Sequence, residues 1–513
     1  MADESMKENK GAAAKDYEPP AGAETTAVWT AGDSSIEYTA SARWIVLRKK
    51  EKPAAEIFSV SYIAHREDDR PVTFVFNGGP GASSAYLHMG AVGPLRVAFP
   101  ADGTLPRTPS RLVPNEESWL AFTDLVFVDP VGTGFSRIVE DYKDGEEKKK
   151  QRDGEERKKR QNGEEGDAGE YFGYKRDLES LCEFMGRWLS GQGRWGSAVF
   201  IAGESYGGYR VGRLVRMLQE ASGIGLSGVV LISPALEFGP LSPTDYDVVG
   251  WVDRLPTMAL AAAHHGRSRA FADDTPPDDV RLEAERFATG DYAALLTRGA
   301  SMPAGERDRI LGRLADLIGL PLETVARAEG RITIGVFTRE LLRDERKVLG
   351  WYDTTITTTD PFPDRESFAG PDPTLAGINP AYTTAINRQL RSEIGVETDR
   401  EYTVLSYEVL EMWRNDAPED FFAPPVGATD DFRYGMSLNP HMKAFVTHGR
   451  YDLVTPYYGS ERLRNLMRLD SETASRLTVR HFDGGHMFYA WEDSRRQFSA
   501  AIAAFVADAA ATA

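Results

Sequence analysis

Cysteine is nearly absent from this chain: among 513 residues there is one, Cys182. An intramolecular disulfide is therefore excluded, and with it the disulfide framework usual in secreted domains. Long hydrophobic runs are missing as well. No stretch reaches the roughly 18 apolar residues that a membrane-spanning helix requires. The opening MADESMKENKGAAAKDYEPPAGAETT holds no apolar core of the kind found in a secretory leader. Positive charge is in deficit, with 60 Lys and Arg against 78 Asp and Glu and a net charge of -18. Such a surface repels phosphate, so neither nucleic acid nor an anionic membrane is an expected partner. Together these deficits predict a soluble, cytoplasmic protein.

What the chain does contain is a recurring unit. A short apolar strand runs into a loop of small or polar residues: VTFVF into NGGPGASS, DLVFVD into PVGTGFS, AVFIA into GESYGG, VVLIS into PALEF, KAFVTH into GRYDLVTP, and LTVRHF into DGGHMF. Near-continuous apolar strands fit a sheet buried on both faces. Amphipathic stretches such as YRVGRLVRMLQEAS and SERLRNLMRL follow several of them, and strands alternating with helices imply a mostly parallel sheet. In such sheets functional sites form outside the carboxyl ends of the strands, where these loops lie. Ahead of the units, Ala27 to His65 is rich in alternating and aromatic residues and predicts antiparallel strands.

The organisation expected is a disordered tail over 1–25, a first core part over 26–239, a helical cap insertion over 240–395 and a second core part over 396–513. Residues 138–170 are dense in charges of both signs and read as a solvated loop or mobile helix.

Gly203-Glu204-Ser205-Tyr206-Gly207 matches G-x-S-x-G between an apolar strand and an amphipathic helix. This is the context of a nucleophile elbow in the α/β-hydrolase fold. A serine hydroxyl needs a base to react, and in this fold the order is Ser, then Asp or Glu, then His. His486, in Asp483-Gly-Gly-His486-Met487 after the last apolar strand, has the right order and place. His65 and His88 precede the elbow, His264 and His265 lie in the insertion, and His441, His448 and His481 sit before or within strands. Asp452, after KAFVTHG, is the expected acid; Asp483 competes, but it is only three residues from His486. The acid would accept the Nδ1 hydrogen bond and stabilise the imidazolium. Oxyanion donors are expected from the backbone N–H of Tyr206 and from the loop Asn77-Gly78-Gly79-Pro80-Gly81, with Gly79 favoured. No phosphate loop, dinucleotide fingerprint or zinc spacing occurs, so no cofactor or metal is expected. Cys182, at helical periodicity in DLESLCEFMGRWL, reads as a buried core thiol.

Five motifs stand in one order: Asn77-Gly-Gly-Pro-Gly-Ala-Ser-Ser84, Asp129-Pro-Val-Gly-Thr-Gly-Phe-Ser136, Gly203-Glu-Ser-Tyr-Gly-Gly208, Gly449-Arg-Tyr-Asp452 and Gly484-Gly-His-Met487. The series resembles the serine carboxypeptidases of the carboxypeptidase C and cathepsin A group. The resemblance implies removal of the C-terminal residue from peptides through an acyl-enzyme. It assigns the triad to Ser205, Asp452 and His486 and the oxyanion hole to Gly79 and Tyr206. It further implies that Asn77, Gly78 and Glu204 bind the terminal carboxylate of a peptide substrate. A glutamate can do this only when protonated, which needs a raised pKa. The family uses a second glutamate for that purpose, and here Gly90-Ala91-Val92-Gly93-Pro94 places Ala91 at its position. Weaker carboxylate recognition, or recognition nearer neutral pH, is the expected consequence. Ala82 stands where the family often has a disulfide cysteine. An esterase or acyltransferase with the same triad is the alternative reading, followed by a non-catalytic binding protein on the same scaffold.

Overall fold

The computed structural model describes residues 17–49, 52–66, 70–139, 170–365, 367–368, 370–414 and 426–511. Most of the expected tail (1–16) and of the charged insertion (140–169) lies outside the described residues. The end of the tail differs from expectation: strand β1 starts at Ala23, because AETTAVWTA alternates and pairs with the next strand.

Fourteen strands are present among the described residues. They are β1 (Ala23–Ala31), β2 (Ser34–Lys49), β3 (Lys52–Ala64), β4 (Val72–Phe76), β5 (Leu95–Val97), β6 (Leu112–Pro114), β7 (Asp124–Val128), β8 (Arg137–Ile138), β9 (Val199–Glu204), β10 (Gly228–Ile232), β11 (Lys347–Leu349), β12 (Thr357–Thr359), β13 (Lys443–Gly449) and β14 (Leu477–Phe482). Ten of them form one sheet in the order β1-β2-β3-β7-β4-β9-β10-β13-β14, with β8 beside β3. From β1 to β7 the pairing is antiparallel. From β7 through β14 it is parallel.

Period-two alternation divides the central strands between two cores. Phe74, Phe76, Ile201, Val229, Leu231 and Val446 belong to one, with helices Tyr174–Gln192 and Tyr206–Glu220 over it. Val75, Phe127, Phe200, Ala202, Val230 and Phe445 belong to the other, covered by helix Glu492–Ala510. Both faces are buried, which is why these strands read as unbroken apolar runs.

The chain between β10 and β13 is mostly helical and is not uniform. Helices Val249–His264, Pro277–Phe287, Ala304–Ile318 and Ile334–Glu340 enclose a third core that includes Leu260, Leu314, Leu317 and Phe337. Helix Pro373–Arg388 instead lays Ile378, Tyr382, Ala385 and Ile386 onto the second face of the sheet.

Between β9 and helix Tyr206–Glu220 the chain reverses at Ser205, whose φ is 61° and ψ -123°. Ser205 N–H donates to the Ile232 carbonyl at 3.0 Å, and Ala235 N–H donates to the Ser205 carbonyl at 3.1 Å, so β10 and the loop after it grip the turn. The flanking glycines permit the approach: a Cβ on Gly203 would lie 2.1 Å from the Gly207 carbonyl oxygen, and one on Gly208 would lie 2.3 Å from Pro234 Cβ. A positive φ at a residue with a side chain costs about 1–2 kcal/mol. Ser205→Gly is therefore expected to be more stable than Ser205→Ala by about 1 kcal/mol. Urea unfolding of the two variants checks this, and equal stabilities would contradict a strained turn.

Candidate active site

Four strand ends converge at the carboxyl edge of the sheet: the loops after β4, β9, β13 and β14. After β13, Asp452 is fully buried. Its Oδ1 accepts from the Val454 N–H at 2.8 Å and the Thr455 N–H at 3.2 Å, and its Oδ2 accepts from Thr455 Oγ1 at 2.6 Å. Oδ2 also meets His486 Nδ1 at 2.6 Å. The local turn Asp452-Leu-Val-Thr455 thus fixes the carboxylate before His486 arrives. Thr455 was not anticipated; a Thr three residues after an Asp in a loop is the signal for such a turn.

His486 is held through its backbone by distant segments. Its N–H donates to the Tyr352 carbonyl at 2.5 Å, and Ser233 Oγ donates to its carbonyl at 2.8 Å. The Tyr352 ring stands edge-on to the imidazole at 5.2 Å, and Asp353 Oδ2 accepts from the Gly485 N–H at 2.9 Å. Burial pushes the imidazole pKa down, but the Asp452 carboxylate and its hydrogen bond more than offset this, so the His486 pKa lies above its ordinary value. Asp483, the competing acid, is exposed and faces Arg450 at 3.4 Å. Among the other histidines, His448 is buried with Nδ1 on the Thr455 carbonyl at 3.0 Å. His88 is buried with Nε2 on Tyr62 Oη at 2.7 Å, and burial pushes its pKa down to about 3.

The loop after β4 lies against the turn at Ser205. A Cβ on Gly78 would sit 2.5 Å from the Tyr206 nitrogen, so glycine keeps that N–H clear. Gly79 has a φ of 97°. Asn77 Oδ1 accepts from the Leu87 N–H at 3.0 Å, and Asn77 Nδ2 donates to Glu204 Oε2. From behind, buried Arg210 donates to the Asn77 carbonyl at 2.7 Å while paired with Asp177 at 2.8 Å. The motif starting at Asp129 braces this loop: Asp129 Oδ1 accepts from Ser84 N–H at 2.9 Å and Ser84 Oγ at 2.8 Å.

Glu204 is buried beside Ser205, and burial pushes its pKa up to about 7. The Tyr489 hydroxyl donates to it, 2.9 Å from Oε1 and 3.1 Å from Oε2. Tyr489 was not anticipated. It lies three residues past His486, and only the fold brings it back to Glu204. Ala91 lies buried in the helical turn His88–Val92. Cys182 is half-buried rather than buried, packed against the margin of the core, and burial pushes its thiol up to about 11, where it is unreactive at neutral pH. Among the described residues no group of three His, Cys, Asp or Glu is disposed to hold a metal ion.

The sequence profile of the serine carboxypeptidase family matches residues 47–239. Pheromone-processing carboxypeptidase KEX1 of Pyricularia oryzae is 44% identical over 85 residues, 16% of this chain and 12% of that protein. KEX1 of Yarrowia lipolytica is 30% identical over 190 residues, 35% of this chain and 25% of that protein. Serine carboxypeptidase-like 36 of Arabidopsis thaliana is 30% identical over 171 residues, 32% of this chain and 28% of that protein. The chain therefore aligns with at most 28% of the length of these three curated relatives. In three dimensions, the crystal structure of the prohormone-processing carboxypeptidase KEX1(delta)p of Saccharomyces cerevisiae shares the fold, with a TM-score of 0.52 and 16% identity over 92% of each chain. Over residues 47–239 the chain is thus similar to the serine carboxypeptidases, and the whole has an α/β-hydrolase fold.

Proposed function

We propose that this protein is a serine-type carboxypeptidase that releases the last residue of a peptide through an acyl-enzyme on Ser205. One observation carries the reading: a buried carboxyl group, Glu204, stands immediately before the elbow serine and is met by Asn77. With Nδ1 engaged by Asp452, the His486 nitrogen that takes the Ser205 proton is Nε2. The serine oxygen attacks the last peptide carbonyl, and the N–H groups of Gly79 and Tyr206 receive the developing oxyanion. His486 then returns the proton to the departing amine, and water repeats the sequence to release the acyl group. Asn77, the Gly78 backbone and protonated Glu204 receive the terminal carboxylate of the substrate. An ionised Glu204 would repel it. The substrates are peptides with a free C-terminus. Cys182 is the chain's one cysteine, which suits a reducing, cytoplasmic setting.

N-blocked dipeptides offered with free and amidated C-termini test the assignment, with products read by mass spectrometry. The free acids are expected to lose their terminal residue roughly 10–100-fold faster than the amides, the worth of a hydrogen bond to a charged group. Ser205→Ala is expected to remove about 10^6-fold of the rate. Hydrolysis of simple esters without peptide cleavage would transfer the assignment to an esterase or acyltransferase.

The pH dependence follows from two groups. His486 must be neutral, so activity rises through a value above the ordinary imidazole range. Glu204 must keep its proton, so cleavage of free-acid peptides falls as pH rises through about 7. A narrow bell near neutrality is expected, and an optimum well below pH 6 would contradict it. Glu204→Gln keeps a hydrogen-bond donor but cannot ionise, so the alkaline limb should disappear. The same change affects stability. With a folded pKa of about 7 against 4.5, Glu204 leaves stability intact at low pH and weakens the fold as pH rises through about 7. At pH 8 Glu204→Gln should be the more stable protein by about 3 kcal/mol, at 1.36 kcal/mol per pKa unit. The difference should vanish near pH 4, as urea titrations at the two pH values would show.

A further inference from the structure

Glu204 has two hydrogen-bond partners among the described residues, Asn77 and Tyr489. Asn77 reaches one oxygen. Tyr489 lies within hydrogen-bonding distance of both, at 2.9 Å and 3.1 Å. Its ring is fully buried in the short turn Phe488–Ala490. It has room because position 90 is glycine: a Cβ there would lie 2.6 Å from Tyr489 Cε2 and 2.6 Å from the Tyr382 hydroxyl. Gly90 sits in a wide, π-type helical turn, a geometry that recurs at functional sites. Tyr382, from helix Pro373–Arg388, is buried, and its hydroxyl has no hydrogen-bond partner among the described residues. The titratable groups facing Glu204 are His486 and Asp452 from the loops after β14 and β13, and the phenols of Tyr489, Tyr382 and Tyr86 from three further elements. Among the described residues no Lys or Arg forms an ion pair with it.

We infer that Tyr489 is the positioning residue of the carboxylate-binding site, holding both oxygens of Glu204 in place and setting the pH at which Glu204 surrenders its proton. A hydroxyl donating to a carboxylate favours the ionised form. Tyr489 thus opposes burial, which favours the protonated form. The hydroxyl can also rotate to accept from the protonated acid, so it serves Glu204 in both states. The Tyr382 hydroxyl, lacking a partner, does not share this role. The kinetic part of the inference rests on the carboxypeptidase reading; the effect on Glu204 itself does not.

Tyr489→Phe in the full chain tests it through two readouts: kcat/KM against pH on a free-acid peptide and on a simple ester, and unfolding stability against pH. Loss of the donated hydrogen bond should move the alkaline limb for the free-acid peptide upward by about one pH unit. The fall of stability with pH should move up with it, while the ester profile stays in place. Tyr382→Phe should leave all three curves unmoved. Coincidence of the Tyr489→Phe curves with wild type in both readouts would overturn the inference. If the wild type cleaves no peptide and the stability curve still shifts, the carboxypeptidase reading has failed and the role of Tyr489 stands. Should Tyr489→Phe not fold, 3-fluorotyrosine at position 489, a stronger donor, should move the stability curve down, and an unmoved curve would overturn the inference.

Discussion

Ser205 is held at a φ of 61° by backbone that comes too close on every side for a side chain to intervene. Gly203 faces the Gly207 carbonyl, Gly208 faces Pro234, and Gly78 faces the Tyr206 nitrogen. These contacts weld three separate loops into one unit. Once the turn is fixed, the loop after β4 has one place to lie, and Asn77 comes within reach of Glu204. The buried Arg210–Asp177 pair then fixes Asn77 from behind. A buried ion pair is weak evidence for stability. Here its hydrogen bond to the Asn77 carbonyl gives it a positional consequence.

Two buried carboxyl groups near Ser205 sit in contrasting surroundings. Asp452 receives hydrogen bonds from two backbone amides, a hydroxyl and an imidazole, a setting that satisfies a negative charge. Glu204 receives an amide and a phenol, and burial prevails, pushing its pKa up to about 7. Environments that treat two acids differently are what a division of roles requires. In the proposed reaction Asp452 stays charged beside an imidazole that becomes charged, and Glu204 stays neutral beside a substrate that brings its own charge.

The sheet was legible because its strands are buried on both faces and carry apolar runs that end in small residues. Ser205, Asp452 and His486 lay in loops after such runs, so fold order alone nominated them, and the structure brings all three to one edge of the sheet. The start of β1 at Ala23 was missed because a half-exposed edge strand looks like a polar tail. Tyr489, Thr455 and the Tyr352 carbonyl were missed for another reason. Their contributions are hydrogen bonds to partners 285, 3 and 134 positions away. The long-range ones leave no periodic trace in a single sequence. Thr455, being local, did leave one in the turn Asp452-Leu-Val-Thr455.

The helical insertion carries no motif, yet the site is built against it. The Leu453 N–H donates to the Trp351 carbonyl at 3.0 Å, and the Thr354 N–H donates to the Tyr451 carbonyl at 3.0 Å. His486 and Gly485 bond to Tyr352 and Asp353. Tyr451, Leu453 and Tyr457, which flank Asp452, belong to the core of the insertion. A Cβ at Gly485 would lie 2.2 Å from the Tyr352 carbonyl oxygen, so the loop bearing His486 is packed directly on residues 350–356. The acid and the base are thus placed by β13 and β14 on one side and by the insertion on the other. Sequence changes far from every motif can displace His486 through that second contact, because its position is shared between two cores rather than set by its own strand.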